Sequence, residues 1–595
     1  MAKIFCLINN KNSGIQEGII RSLDYNLGWQ KKMFQNQDIF LGCLELPFKP
    51  ESDFWKETAN FVIVIDGAIL SWNHMTHGDS TTEKLLNLFQ DKGEELVKDI
   101  NGNFSIVIWD KKKKSLHIMS DRLGLRPLYY AQYQGKTFFA SEIKAILADP
   151  GFTKKHNKDA IIDFFSYEFI PNDQTLVEGI KVFPYASRLN INVSNDRLDF
   201  RKYWDFQFKQ ELPKEKNIKA YAWRLNEITR SAVDRTMQGP YKIGLPLSGG
   251  FDSRVIAAMI DKKYYPLNTY TFGIKGCIDD EIARKISRVM GAKHHSIEIQ
   301  YDSLPGFMIK GVFFTDGMVA CNHFHVLNLM DQMRSREQVA LKGFAGGVLP
   351  RRMNSRCVGK DKTFIYNTYD SCTEKFRRNI FSTDLQKAIV AGKDRFFTLW
   401  DDASVKCEEN PLDYLNMTQR QRRFSNYGAI VMRNFLEVRL PFADYDFVDF
   451  CLKMPNIFKE EDFICREFMN IYYAPFARIM QEGTGLSLRP GRWERKFIEI
   501  TNKLLGKPVY HRRPAYDYNL FYRTALKDFA HQILLSQKFK DRQIFNQEAV
   551  EQVVNDHMAG KDNYAPQLGA LITFELWNRL FMDGEKELLE GLVNV

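Results

Sequence analysis

The stretch Leu247-Ser248-Gly249-Gly250-Phe251-Asp252-Ser253-Arg254 decides the fold of the larger part of this chain. It lies between an apolar run at residues 243–245 and the helix-favouring run 255–260, so the pattern predicts a strand, a tight glycine turn and a helix. Such a turn directs several backbone N–H groups and a helix N-terminus towards one point, which suits a phosphate. Ser248 and Ser253 add hydroxyl donors, and Asp252 adds a carboxylate, which near phosphates usually holds Mg²⁺. The Gly-Lys-Ser/Thr of the common P-loop is missing here, so the loop belongs to another class.

Length and composition indicate a globular protein of two or more domains. The chain has 595 residues, of which 44% are hydrophobic and 26% are charged, and this length is too great for a single core. No apolar stretch approaches the roughly 20 residues of a membrane span, and the N-terminal apolar run is too short for a signal peptide. The nine cysteines form no Cys-x-x-Cys pair, which argues against a zinc site and a disulfide framework. We therefore expect a cytoplasmic protein with reduced, mostly buried cysteines and no membrane span.

The net charge of +10 is dispersed along the chain. No basic stripe alternates with regular aromatic residues, so the pattern does not favour a nucleic-acid partner. Residues 111–114 are four lysines after a Trp-Asp pair, and we interpret them as a solvated hairpin turn. Arg420, Arg422 and Arg423 have the charge to meet a phosphate, but a solvated helix face is the more common explanation.

The chain divides into a β-rich part and a part with alternating strands and helices. Residues 1–205 predict short antiparallel strands at 61–65, 104–109, 115–119, 127–131 and 137–140 with a helix at 82–99, which is an α+β pattern. The charged, proline-containing segment 206–217 is interpreted as a linker. Residues 218–595 predict strands at 243–247, 269–273 and 338–342, which indicates a doubly wound parallel sheet with ligands at the carboxyl ends of the strands. Residues beyond about 380 are mainly helical in pattern.

Motifs over nearly the whole chain, in order, resemble those of asparagine synthetases. Residues 102–110 (GNFSIVIWD) resemble the family's Gly-x-Phe-Ala-Phe-x-x-Trp-Asp strand, and residues 121–130 (DRLGLRPLYY) resemble its Asp-Arg-x-Gly-x-Lys-Pro-Leu-Tyr-Tyr. Residues 139–145 (FASEIKA) match a family motif almost letter for letter, and residues 437–442 (EVRLPF) resemble Glu-x-Arg-x-Pro-Phe. Residues 248–253 resemble the pyrophosphate loop of ATP pyrophosphatases, which split ATP into AMP and pyrophosphate.

This resemblance implies a fold and a reaction. Residues 1–205 are expected to form an α+β sandwich of the N-terminal nucleophile type, similar to class II glutamine amidotransferases. Residues 218–595 are expected to form an α/β ATP-pyrophosphatase domain with a helical C-terminal part. The implied cofactors are ATP and Mg²⁺, and the implied partners are a small-molecule or peptide carboxylate, which is adenylated, and an amine. A homodimer is possible, and the resemblance does not decide the oligomeric state.

The resemblance also assigns residues to the nucleotide. Asp252 is expected to hold Mg²⁺, and Phe272 and Gly273 are expected to shape the adenine pocket, with core packing as the alternative. Gly343 is expected to approach ATP. The pyrophosphate portion is expected to contact the loop residues Leu247, Ser248, Gly249, Gly250, Asp252 and Ser253.

The first domain departs from the family at three places that its glutaminase needs. The nucleophilic N-terminal cysteine is replaced by Ala2, and Cys6 is expected to be a buried core thiol. The family's Arg-Gly-Pro-Asp is missing from residues 35–38 (QNQD), and its oxyanion-stabilising Asn-Gly appears as Asp66-Gly67, whose carboxylate opposes an oxyanion. We therefore expect no glutaminase activity, as in the β-lactam synthetases and lasso-peptide cyclases that the chain resembles in this respect.

The second domain departs at its second phosphate motif. The family's Leu-Ser-Gly-x-Gly-x-Asp-Glu aligns with residues 341–348 (LKGFAGGV), so Gly347 and Val348 replace two acids and Lys342 stands at the serine position. A lysine there can neutralise phosphate charge; loss of ATP chemistry is the alternative. The family's catalytic lysine has no counterpart at the expected spacing, and Lys459 and Arg466 are the nearby candidates. The expected catalytic residues are Asp252, Lys342 and Arg466.

Three further groups have both a structural and a functional interpretation. Asp279-Asp280-Glu281 opens a predicted helix, where it caps the helix or lies near the nucleotide. Thr315-Asp316-Gly317 predicts a turn, and Asp316 is a candidate for the lost metal ligand. His323 and His325 form a His-x-His pair, which on a helix faces two sides and does not favour a shared metal.

The sequence therefore favours an AMP-forming carbon–nitrogen ligase that adenylates a carboxylate and transfers it to an amine. Two alternatives remain at this point. One is an asparagine synthetase that uses ammonia, which would convert aspartate to asparagine. The other is a nucleotide-binding pseudoenzyme, favoured by the loss of acids around Gly347.

Overall fold

The structure is a computed structural model. It describes residues 2–9, 14–25, 28–47, 53–73, 78–193, 197–208, 217–346, 350, 361–408, 411–483, 485–488, 496, 500 and 513–593. Its strands form two six-stranded sheets and one five-stranded sheet.

The first two sheets are antiparallel and come from the first 202 residues. Their strands are β1 (Ala2–Ile8), β2 (Gln30–Gln35), β3 (Ile39–Glu45), β4 (Trp55–Glu57), β5 (Phe61–Trp72), β6 (Ile100–Asp110), β7 (Ser115–Ser120), β8 (Tyr129–Tyr133), β9 (Lys136–Ala140), β10 (Lys181–Val182), β11 (Ser187–Asn192) and β12 (Arg201–Lys202). The strand orders are β10-β8-β9-β1-β3-β2 and β12-β11-β7-β6-β5-β4.

These two sheets pack face to face. Ile4 and Leu41 of the first sheet share a buried cluster with Val64 and Val107 of the second sheet, because alternate side chains of each strand face the same side. The helix Thr81–Lys92 covers the outer face of the second sheet through a separate cluster. This arrangement confirms the predicted α+β sandwich.

The secondary structure predicted for residues 1–205 agrees with the structure, with one difference. The helix predicted at 82–99 is divided into the α-helix Thr81–Lys92 and the 3₁₀ helix Gly93–Lys98. Gly93 has a φ of 59°, a left-handed conformation that ends an α-helix and that glycine adopts readily. The four lysines at 111–114 form the predicted hairpin turn, and three of them are exposed.

The third sheet is parallel and has the order β15-β14-β13-β16-β17. Its strands are β13 (Ile243–Pro246), β14 (Asn268–Gly273), β15 (Lys293–Glu298), β16 (Val339–Leu341) and β17 (Glu437–Arg439). The order reverses next to β13, so the loop that follows β13 lies at the switch point where such sheets bind ligands. The predicted doubly wound sheet is confirmed.

Helices from both parts of the chain make up much of the remaining described residues. Their bounds are Ile15–Leu23, Ile143–Leu147, Lys158–Tyr167, Ile218–Met237, Phe251–Met259, Ile278–Met290, Leu304–Thr315, Leu327–Arg334, Lys362–Tyr369, Glu374–Ile380, Gln386–Lys406, Pro411–Leu415, Tyr427–Met432, Tyr445–Lys453, Asn456–Lys459, Phe463–Tyr472, Ala474–Ala477, Tyr518–Arg523, Lys527–Leu534, Gln537–Asp541, Gln547–Met558 and Ala565–Trp577, with π-helices at Asn416–Ser425 and Asn578–Asp583.

The solvated face predicted at Arg422 and Arg423 is wrong. Both side chains are buried in the π-helix Asn416–Ser425. Arg422 donates to the carbonyl of Phe183 at 2.7 Å, and Arg423 donates to the carbonyl of Ile170 at 3.0 Å. The helix packs on the first domain, so these guanidinium groups satisfy buried carbonyls instead of facing water. Only Arg420 of this group is exposed.

Buried ion pairs join the first part of the chain to the second. Arg126 pairs with Asp66 at 3.3 Å and also with Glu437 of β17. Lys144 lies 2.9 Å from Asp316. Such pairs fix one relative orientation, because removing one partner leaves an uncompensated buried charge. No helix of the described residues is both long enough and apolar enough to cross a membrane.

Candidate functional site

The glycine loop after β13 is organised by its two serines. Ser253 Oγ accepts a hydrogen bond from Ser248 N at 3.2 Å, and the two hydroxyl oxygens lie 3.3 Å apart. Gly250 is the N-cap of the helix Phe251–Met259. Because glycine has no side chain to offer to the first-turn amides, the helix start is open to an anion.

The carboxylate of Asp279, on the helix Ile278–Met290, accepts a hydrogen bond from the glycine loop. Gly249 N donates to Oδ1 of Asp279 at 2.7 Å, and Asp279 is buried. This bond directs the Gly249 amide into the protein, so its predicted contact with pyrophosphate does not fit this conformation. A Cβ on Gly249 would also lie 2.8 Å from the Cβ of Glu482, so the position accepts only glycine without movement.

The next carboxylate, Asp280, points away from the loop. It accepts hydrogen bonds from Arg284 at 2.8 Å and from Ser296 of β15. Partial burial disfavours its charge, but the hydrogen bonds from His294, Ser296 and Arg284 lower the pKa of Asp280 below its usual range. Asp279 therefore orients the loop, whereas Asp280 joins its helix to the sheet.

Arg254, the last residue of the motif, has a role that the sequence did not indicate. Its side chain is 1% exposed and donates to the carbonyl oxygens of Ile479 at 2.7 Å and Met480 at 2.6 Å. Burial lowers the pKa of Arg254 to about 10, and the group stays charged at neutral pH. Arg254 thus anchors the segment that brings Glu482 against the loop. Its place directly after the Ser-Gly-Gly-x-Asp-Ser pattern was the only available signal.

The end of β16 lies against the same loop. A Cβ on Gly343 would be 2.6 Å from the Cβ of Asp252 and 3.3 Å from the amide nitrogen of Ser253. The two phosphate motifs are therefore in direct contact, although they are far apart in sequence. Gly347 and Val348, which replace the family's acids, lie outside the described residues.

Lys342 is the cation of this strand end. Burial lowers the pKa of Lys342 to about 8, and the positive charge of Arg433 acts in the same direction. Its ammonium group packs so closely on Gly428 that a Cβ at that position would displace it. With this pKa the side chain is mostly charged at neutral pH, and a charged lysine with a fixed position is suited to bind an anion.

An aromatic stack lies at the end of β14. The ring of Phe272 is 5.1 Å from the ring of His325, which stacks on Tyr516 at 3.9 Å. Burial lowers the pKa of His325 to about 3, so the ring is neutral. Ala515 O accepts from Ile274 N at 2.9 Å, which ties the segment with Tyr516 to the strand end beside Gly273. Phe272 thus belongs to an aromatic stack with His325 and Tyr516, which were not predicted there, and its contact with adenine stays a prediction.

Two other predicted residues lie in different surroundings. Arg466 is half-buried on the helix Phe463–Tyr472, which meets the loop through Phe468 and Phe251 with rings 6.4 Å apart. Its role stays a prediction. Asp316 is paired with Lys144, and it accepts from Ile143 N at 2.7 Å. That carboxylate is engaged at the domain interface, which disfavours it as a replacement metal ligand.

The metal prediction therefore rests on Asp252. Within the described part of the chain, no three His, Cys, Asp or Glu side chains are grouped to bind a metal. A single carboxylate beside a phosphate loop fits Mg²⁺, which keeps several waters and takes other ligands from substrate phosphates. His323 and His325 have separate surroundings, since His323 lies 3.6 Å from Glu168 while His325 stacks on Tyr516.

Ala2 and Asp66, two residues at which the sequence departs from the glutaminase pattern, belong to a buried polar network. Ala2 N donates to Oδ1 of Asp66 at 3.1 Å, and the same oxygen lies 3.3 Å from Arg126. Cys6 is fully buried, and burial raises its pKa well above that of a free thiol, which disfavours it as a nucleophile. The cysteines of the described residues are buried, and none forms a disulfide with another of them, as the sequence predicts.

Sequence comparison identifies the class of protein to which this fold and site belong. Residues 55–204 match the glutamine amidotransferase domain family, and residues 224–347 and 412–579 match the asparagine synthase family. These matches together span most of the chain, and the chain belongs to the asparagine synthetase family.

Individual relatives are distant. Glutamine-hydrolyzing asparagine synthetase 2 of Bacillus subtilis is 29% identical over 39% of this chain and 33% of its own length. A putative glutamine-hydrolyzing asparagine synthetase 2 of Methanocaldococcus jannaschii is 31% identical over 38% of this chain and 45% of its own length. Asparagine synthetase 1 of Bacillus subtilis is 21% identical over 84% of this chain and 81% of its own length. The first two matches thus span less than half of those relatives.

Likeness to solved structures is weaker. The glutamine phosphoribosylpyrophosphate amidotransferase of B. subtilis, complexed with ADP and GMP, matches with a TM-score of 0.24 and 10% identity over 50% of this chain and 81% of that chain. A likeness of this size carries no argument about function.

Proposed function

We propose that the protein is an ATP-dependent amide-forming ligase that adenylates a carboxylate, transfers the acyl group to an amine and has no glutaminase activity. The contact between Gly343 and Asp252 carries this proposal. It joins the Ser-Gly-Gly-x-Asp-Ser loop to the end of β16, so a carboxylate and a helix N-terminus lie at one place, and Lys342 precedes Gly343 in the same chain segment. That combination suits a nucleoside triphosphate with its metal.

In this proposal each group binds or stabilises a charged part of ATP. The start of the helix Phe251–Met259 and the hydroxyl groups of Ser248 and Ser253 bind the phosphates. Asp252 would hold Mg²⁺, which supplies positive charge to the pyrophosphate portion when bound. Lys342 adds charge as the pyrophosphate leaves. Such electrostatic stabilisation is usually the largest contribution to catalysis.

The chemistry has two steps. An oxygen of the substrate carboxylate forms a bond to the α-phosphorus of ATP, and the bond from that phosphorus to pyrophosphate breaks. The amine nitrogen then forms a bond to the acyl carbon, AMP leaves and the nitrogen loses one proton. The loop lacks the lysine with which a P-loop binds the β- and γ-phosphates, which favours release of pyrophosphate over transfer of the γ-phosphoryl group.

Product analysis with ATP labelled at the α- or γ-phosphate tests the proposal. Labelled AMP and labelled pyrophosphate are expected in equal amounts, in reactions that need a carboxylic acid. ADP as the product would overturn the mechanism. Asparagine made from aspartate and ammonia would favour the ammonia-dependent synthetase. ATP binding without any product would favour the pseudoenzyme.

A further inference from the structure

A cavity of about 210 Å³ lies between helices from both parts of the chain. The helix Lys158–Tyr167, the helix Gln386–Lys406 and the π-helix Asn416–Ser425 contribute to its wall. The lining is largely aromatic and aliphatic, and includes Tyr167, Phe169, Phe396, Leu412, Leu415 and Phe424. A cavity of about 150 Å³ takes up benzene, so this one has room for a phenyl group with two or three further carbons.

One polar group of the wall is unsatisfied. Asn416 lines the cavity and is 4% exposed. Among the residues that the structure describes, its Nδ2 has no hydrogen-bond partner, while its Oδ1 accepts from Gln421 at 3.4 Å. A donor that is buried without a partner is unfavourable. A ligand with a carbonyl oxygen next to its apolar group would satisfy it.

The wall of the cavity continues to the nucleotide site. Glu168 and Phe424 line the cavity, and both contact His323. Oε2 of Glu168 lies 3.6 Å from Nε2 of His323, and the rings of Phe424 and His323 have centroids 4.6 Å apart. Two residues further on, His325 stacks on Phe272 at the end of β14. Two residues of extended chain span at most about 7 Å. Residues 323–325 therefore connect the wall of the cavity to the end of β14.

We propose that this cavity binds the hydrophobic part of the acyl substrate, and that the substrate is a carboxylic acid with an apolar group of about eight or nine non-hydrogen atoms and an adjoining carbonyl. This inference rests on the proposed function, because it assumes that the acid is activated at the Asp252 loop. An N-acylated dipeptide with an aromatic side chain carries such an apolar group, an adjoining carbonyl and a carboxylate. Free aspartate lacks the apolar group.

Direct binding tests the cavity without turnover. The probe is N-acetyl-4-fluorophenylalanyl-glycine, observed by ¹⁹F NMR with the full chain. Leu412→Trp fills the cavity from the helix Pro411–Leu415, and Leu412→Met is the matched control, since it nearly conserves volume. Thermal denaturation shows whether each variant folds. We expect binding to the native protein and to Leu412→Met, with at least a tenfold loss in Leu412→Trp. No binding to the native protein, or equal binding to a folded Leu412→Trp, would overturn the inference.

A second variant tests the polar contact. Asn416→Asp keeps the shape and the acceptor but replaces the donor by a carboxylate, which repels a ligand carbonyl. We expect at least a fivefold loss of affinity for the probe, while Asn416→Asp still binds toluene, which has no acceptor. Equal loss for both ligands would show that the variant only damages the cavity, and would overturn the role of Asn416 in recognition.

Exchange of labelled pyrophosphate into ATP separates this inference from the proposed function. Faster exchange with N-acetyl-phenylalanyl-glycine than with N-acetyl-alanyl-glycine or aspartate supports both. Binding of the probe without exchange for any acid leaves the cavity in place and contradicts the ligase function. Equal exchange with aspartate and the aromatic acid supports the ligase and overturns the proposed substrate class.

Discussion

The backbone nitrogen of Ala2 donates a hydrogen bond of 3.1 Å to the carboxylate of Asp66. In a glutaminase of this fold the residue at position 2 supplies the nucleophile, and a neutral amide stabilises the oxyanion. Here Ala2 and Asp66 occupy these two positions and are hydrogen-bonded to each other. Arg126 forms ion pairs with both Asp66 and Glu437 of β17. Asp66 is thus part of the ion-pair network between the two domains.

The protein is expected not to hydrolyse glutamine. Restoring a thiol alone, with Ala2→Cys, is also expected to fail, because Asp66 still opposes an oxyanion and stays paired with Arg126. Glutamate release measured with a coupled dehydrogenase checks both proteins, and Cys6→Ser is the control for the remaining nearby thiol. Glutamate release by the native protein that Asp66→Ala abolishes would contradict the prediction.

Asp252→Asn is expected to weaken binding of Mg²⁺–ATP about tenfold or more. The substitution keeps the shape and removes one charge, on the scale of 1–3 kcal/mol for a charged contact. Titration calorimetry with and without Mg²⁺ measures the change. Asp261→Asn, at a partly buried carboxylate after the same helix, is the matched control and should have no effect. An unchanged affinity in Asp252→Asn would remove the loop from the nucleotide site.

Gly343→Ala is expected to impair ATP binding and to destabilise the fold by about 1–3 kcal/mol, the usual cost of overpacking. The new methyl group would lie 2.6 Å from the Cβ of Asp252 and would push the two motifs apart. Gly14→Ala is the control, because a Cβ there meets nothing within 4 Å. Chemical denaturation and nucleotide titration measure the two effects. A Gly343→Ala protein with native stability and affinity would refute the close contact.

The affinity for Mg²⁺–ATP is expected to fall above pH 8. The pKa of Lys342 is lowered to about 8 by burial and by Arg433, so below that pH the side chain is charged and attracts phosphate. As the pH rises through 8, the unbound protein loses this proton, and binding must then supply it, which weakens affinity by up to tenfold per pH unit. Lys342→Arg should give a flat profile between pH 7.5 and 9.5, because arginine stays charged. An identical slope in both proteins would rule out Lys342 as the titrating group.

Several elements were predictable because their signals are local. Glycines, hydroxyl residues and the flanking apolar runs predicted the strand, loop and helix around residues 243–259, and this pattern needs only neighbours in sequence. The alternation of hydrophobic residues likewise predicted the antiparallel strands of the first sandwich. Residence in the cytoplasm and a homodimer stay predictions, as does the role of Arg466.

The burial and the hydrogen-bond partners of several charged residues were decided by the tertiary structure, because local sequence patterns carry no information about distant contacts. The sequence by itself determined the fold class, the loop with Asp252 and the loss of the glutaminase residues, since each follows from residue identity at a motif position. Only packing decided that Asp279 binds the Gly249 amide, that Arg254 anchors residues 479 and 480, and that Arg422 and Arg423 are buried. The physical reason is that a charged side chain is exposed or buried according to which distant surface covers it, and a covered charge takes whatever partner that surface offers.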